Sequence, residues 1–87
     1  SEIVRGKLLK IRIISKDEKV NINLPIPLIE LLLKSGSISD ALKLNGKANT
    51  IKSIDFEKVL EMVSLGVLGK IIEIESNDGE SVEVFIE

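Results

Sequence analysis

The chain predicts an α+β domain: a four-stranded antiparallel sheet built from two β-hairpins, with a helical middle packed on one face in the order ββαααββ. Three observations predict it. Alternating apolar and polar residues fill both ends of the chain, each run broken by a short polar turn. Helical periodicity and capping residues occur only between those ends. The ends also carry opposite charge: residues 1–24 hold six basic and three acidic side chains, whereas residues 69–87 hold one basic and six acidic.

The first strand is predicted over 7–14 and the second over 19–24. Leu9, Ile11, Ile13, Val20, Ile22 and Leu24 share one face of that hairpin, and Leu8, Lys10, Arg12, Asn21 and Asn23 share the other. Pro25 and Pro27 end the ladder because proline has no amide to give it, and Pro27 suits the start of a helix. That helix, over 28–34, is apolar nearly all round, with Gly36 as its stop. Ser37-Ile38-Ser39-Asp40 resembles a capping box for a short helix through about residue 44, and residues 45–50 read as a loop. Asp55 caps the clearest helix, in which Phe56, Val59, Leu60 and Val63 recur at i, i+3, i+4, i+7. The third strand is predicted over 70–75. Asn77-Asp78-Gly79 then turns the chain into a fourth strand with Val82, Val84 and Ile86 on the core face.

Length and composition set the bounds. At 87 residues this is a single domain, with 44% hydrophobic residues but only two aromatics, Phe56 and Phe85. A core poor in aromatics has to be assembled from branched aliphatics, and so small an interior leaves part of the apolar surplus for a self-association surface. The formal net charge of −2 gives no global field for nucleic acid or an anionic membrane. Histidine and cysteine are both absent, which removes the commonest general base, disulfides and thiolate metal sites, and fits a cytoplasmic location. No apolar run is long enough for a membrane span, since Pro25, Pro27, Glu30 and Lys34 interrupt the richest stretch. The first residue is Ser, which reads as a domain excised from a longer protein.

Each candidate for chemistry has a simpler reading. Glu73, Glu75, Glu83 and Glu87 share one strand face, yet acid/base or metal chemistry needs convergent carboxylates in a cleft, so they read as a solvated or salt-bridged face. Asn77-Asp78-Gly79-Glu80 lacks the remaining spacing of a calcium loop and reads as a turn. Gly66-Val67-Leu68-Gly69 matches a nucleotide-clamping GxxG only in outline; it joins a helix to a strand and reads as helix termination. Lys10, Arg12 and Lys19 could meet phosphates but lack the interleaved aromatics of nucleic-acid-binding sheets. Beside Glu73, Glu75 and Glu83, those three cations form a complementary set, and ion pairs are predicted wherever the two hairpins lie side by side, within one chain or between two. No cofactor or metal is expected. The interaction surface is predicted at Leu28, Ile29, Leu31, Leu32 and Leu33 of the apolar helix, with Phe85, beside Leu8, Ile14 and Ile71, as a second patch.

The runs Leu9-Lys10-Ile11-Arg12-Ile13, Lys19-Val20-Asn21-Ile22-Asn23-Leu24-Pro25-Ile26-Pro27-Leu28, Ile54-Asp55-Phe56-Glu57-Lys58-Val59-Leu60 and Gly69-Lys70-Ile71-Ile72-Glu73-Ile74-Glu75, with Asp78-Gly79-Glu80 and Val82-Glu83-Val84-Phe85-Ile86-Glu87, resemble one bacterial domain. It is the segment that follows the short helical SHOCT-like region in YvlB-like proteins of Gram-positive bacteria. The resemblance covers about residues 7–35 and 54–87; the stretch between is shorter and more polar than that family leads one to expect. It implies a part in cell-envelope stress responses, often beside a β-rich domain, and it brings no enzymatic activity or catalytic residue. The function expected is therefore a non-enzymatic protein-interaction module, acting as a homodimer or with a protein partner. The alternative is a nucleic-acid or anionic-polymer binder using the basic hairpin.

Overall fold

The computed structural model describes residues 3–38, 51 and 53–87. Strands β1 (Leu8–Ile14) and β2 (Lys19–Pro25) form the first hairpin, and β3 (Gly69–Glu75) and β4 (Ser81–Ile86) the second. Between them run helices α1 (Ile26–Ser35) and α2 (Phe56–Ser64). The strand order is β2-β1-β4-β3, antiparallel throughout, so the first and last strands of the chain form the middle of the sheet. The predicted helix reaching residue 44 and the loop over 45–50 lie outside the described residues.

Local chemistry accounts for each boundary. The Ile26 amide donates to Lys7 O (2.9 Å), which holds the start of α1 against the end of the β1–β2 ladder. Proline lies in the first turn of α1, where a missing N–H is harmless. At the other end of α1, the Gly36 amide bonds Leu33 O and the Ser37 amide bonds Leu32 O, a Schellman closure. Asp55 caps α2 by accepting from the Lys58 amide at 3.2 Å. A second Schellman closure ends α2, with Gly66 bonded to Val63 O and Val67 to Met62 O.

The second hairpin turns on a side-chain network. The Asp78 carboxylate accepts from the Ser76 hydroxyl and from the Glu80 amide, while Gly79, at φ 86°, supplies the left-handed residue that closes the turn. These two bonds, the Ser76 hydroxyl first, hold the Asp78 carboxyl below its ordinary value.

The core lies between one sheet face and the helices. Leu9, Ile11 and Ile13 of β1 and Val82, Val84 and Ile86 of β4 are each at most 2% exposed. Val20, Leu24, Ile72 and Ile74 on the outer strands are only partly buried, as edge positions should be. Ile22 of β2, Ile26 and Ile29 of α1, Phe56, Val59 and Val63 of α2, and Ile51 and Ile54 complete the layer. Gly6 fits where it does because a Cβ there would overlap the Ile86 side chain, which lets the N-terminal segment run against the end of β4.

Two expectations are corrected. Ile29, grouped with the interaction residues, is fully buried: α1 turns Ile26 and Ile29 inward, and Leu33 packs beside them. Only Leu28 and Leu31 of that helix are exposed large hydrophobics. Ile71, assigned to the open face, instead packs against the core. It is the extra residue of a β-bulge, since β3 advances from Lys70 to Ile72 while β4 advances only from Phe85 to Val84. Burial predicts that Ile29→Ala destabilises by about 2–5 kcal/mol in urea unfolding, whereas Leu31→Ala changes stability by less than about 0.5 kcal/mol. Equal losses would contradict this assignment of the helix faces.

Candidate interaction surface

The uncovered sheet face is a grid whose rows follow from the strand registers. One row reads Asn23, Lys10, Phe85, Lys70 across β2, β1, β4 and β3. The next reads Asn21, Arg12, Glu83, Glu73, and the third Lys19, Ile14, Ser81, Glu75. Putting β1 beside β4 therefore sets the basic strand against the acidic one within a single chain.

Glu83 stands at the centre. Arg12 Nη1 lies 4.0 Å from it on one side and Lys70 Nζ 3.2 Å away on the other. Glu73 is its direct cross-strand neighbour, an opposition of like charges that alone would destabilise the pair. Lys70 resolves it by also donating to Glu73 at 3.1 Å. Those bonds, Glu73 first and then Glu83, raise the Lys70 pKa above its ordinary value. The bulge makes this possible: strict alternation would send Lys70 to the core face with Ile72 and Ile74, and the extra residue restores it to the open face. Sequence reasoning passed over Lys70, although the Ile71-Ile72 doublet breaking the period of two was the signal.

Phe85 is half-buried beneath the Arg12 guanidinium, which sits 5.6 Å from the ring centroid. Lys10 pairs with Glu87 at 3.4 Å. Together with Asn21 and Asn23 these groups line a shallow depression of about 320 Å³. Lys19 and Glu75 do not join the expected charge pairing: among the described residues no ion pair includes either. The reason is geometric, because they end the same row on opposite edges of the sheet, about 14 Å apart at the usual strand spacing.

The apolar surplus appears elsewhere. Leu28 is 40% and Leu31 64% exposed on α1. Ile3, Val4, Leu65, Val67 and Leu68 are also exposed where the N-terminal segment passes the α2–β3 connection, with Ile3 close to Gly66 and Leu68 close to Gly6. An open groove of about 530 Å³ between these regions is lined by Arg5, Pro25, Pro27, Glu30 and Val63, among others. Among the described residues no cluster of three or more acidic side chains is arranged to hold a metal ion, and no helix is long and apolar enough to cross a membrane.

The Lys70 network predicts a specific instability. Lys70→Met leaves Glu73 and Glu83 opposed and should lower the urea midpoint, with Glu73→Gln in the same chain recovering part of the loss. Because the Lys70 pKa is raised on folding, its contribution is complete below the ordinary lysine value and fades as pH climbs through the raised one. A Lys70→Met loss unchanged by Glu73→Gln would contradict the bridging role.

No curated protein and no solved structure matches this chain. The model of the YvlB-like protein C-terminal domain matches residues 7–85, nearly the whole sequence and both hairpins with the helices between them, and the chain belongs to that family.

Proposed function

We propose that this YvlB-like C-terminal domain is a non-enzymatic protein-interaction module that self-associates, working in the cytoplasm within a bacterial protein of the envelope stress response. The observation that carries the reading is the contrast between its two kinds of surface. Three cations of the open face are already engaged: Lys10 by Glu87, Arg12 by Glu83 and Phe85, and Lys70 by Glu73 and Glu83. Leu28 and Leu31, in contrast, stay exposed on a helix whose inner face is already filled. An apolar surface left in water gains from being covered, at about 25 cal/mol per Å².

The same pairing weighs against an anionic-polymer binder, since Lys10 and Arg12 would have to leave carboxylate partners to meet phosphates. Light scattering across a concentration series, from about 10 µM to about 1 mM, tests the proposal. The expected result is a mass rising from monomer toward dimer. A constant monomer mass, with a nucleic-acid shift at moderate salt, would overturn it in favour of the alternative.

A further inference from the structure

We infer that two copies of this chain meet along the outer edge of β2, antiparallel about Ile22, to form a continuous eight-stranded sheet. The inference deepens the self-association reading and rests on it. Its starting point is the alternation of hydrogen bonding along β1. Leu8 and Glu87 exchange both amide bonds at 2.9 Å, so Leu8, Lys10, Arg12 and Ile14 turn their backbone polar groups toward β4. Leu9, Ile11 and Ile13 then turn theirs toward β2, where they face Leu24, Ile22 and Val20. The remaining β2 residues, Lys19, Asn21 and Asn23, direct their amides and carbonyls away from the sheet. Pro25 stands at the next outward position and has no N–H to offer.

An edge with free backbone groups is a template for another strand, and proteins commonly blunt such edges with charge, proline or a bulge. Here β3 is blunted and the middle of β2 is not. Self-pairing of β3 would bring Glu73 and Glu75 of two copies together, and its other end carries the bulge at Lys70–Ile72. Between Lys19 and Pro25, β2 presents only Val20, Asn21, Ile22, Asn23 and Leu24. A two-fold axis through Ile22 sets Asn21 against Asn23 of the second copy, places Val20 against Leu24, and keeps the two Lys19 charges at opposite ends. Each Asn21–Asn23 pair is then of the doubly hydrogen-bonded kind.

The helices fit the same arrangement. α1 packs against β2 and α2, so it lies over the β2 side of the sheet. Across the seam the α1 helices of the two copies would then come side by side. Pro27 and Glu30 line the groove shared with Arg5 and Val63, so the opposite flank of α1, with Leu28 and Leu32 at i, i+4, faces away from α2. The exposed Leu28 and the half-buried Leu32 therefore continue the β2 edge instead of forming a separate patch. Pairing β2 with β3 of another copy would also be charge-favourable at Lys19 and Glu75, but that contact is heterologous and grows into a fibre without closing.

Asn21→Pro is the test variant, because the amide it removes points outward and takes no bond from the β1–β2 ladder. Sedimentation velocity should show dimerisation weakened by at least about tenfold relative to the native chain, with an unchanged circular dichroism spectrum and little dependence on salt. The absence of native cysteine allows a second readout: an oxidised equimolar mixture of Asn21→Cys and Asn23→Cys chains should give the mixed disulfide in preference to either homodimer. A dimer that survives Asn21→Pro and forms no mixed disulfide overturns the β2 seam while leaving self-association standing. Masses growing beyond dimer and dissolving in salt overturn it in favour of β2–β3 stacking. A native chain that stays monomeric overturns both the seam and the reading it rests on.

Discussion

The pairing of β1 with β4 is the constraint on which the rest of this domain depends. It joins the two ends of the chain at the centre of the sheet, through the reciprocal bonds of Leu8 and Glu87 and a register that runs from Leu9–Ile86 to Ile14–Ser81. The six inward side chains of these two strands are each at most 2% exposed and run through the middle of the core. At about 1.5–3 kcal/mol for each fully buried aliphatic, their burial outweighs every ion pair on the opposite face, each worth about 0.2–1 kcal/mol. Burial holds the sheet together; charge selects which strands lie side by side.

Several features follow from that pairing. It leaves β2 and β3 as the edges, which is why their inward residues other than Ile22 are only partly buried. It brings Arg12 to Glu83 and Lys10 to Phe85, so Arg12 finds its carboxylate within the chain. It also places Glu83 between a cation on β1 and a carboxylate on β3, an opposition that Lys70 relieves only because of the bulge at Ile71. One chain-end pairing thus decides which charges are satisfied and which edge stays open.

Much of this was legible in the residues. Strict alternation gave both hairpins and their core faces, Asp55 gave the start of α2, and Asn77-Asp78-Gly79 gave the turn, because each is a local rule acting over a few residues. The opposite charges of the hairpins anticipated their contact as well. What stayed hidden depended on long-range geometry. Ile29 could not be told from Leu31 in a helix that is apolar all round, since such a pattern has no period to mark the buried face. Lys19 and Glu75 look as complementary as Arg12 and Glu83, but the strand order sets the first pair three strands apart and the second side by side. Lys70 was obscured because the bulge shifts side-chain parity after its position, and alternation read from the sequence assumes an unbroken register.

Native-state hydrogen exchange followed residue by residue tests the central claim most directly. If the β1–β4 pairing organises the fold, the amides that bond across it, those of Leu8, Lys10, Arg12, Glu83 and Phe85, should exchange only through global unfolding and rank among the slowest in the domain. The outward amide of Glu73 on the β3 edge should exchange much faster. Amides of the β1–β4 ladder opening at a lower free energy than those within either hairpin would contradict the account, by showing two independent hairpins joined only late and weakly.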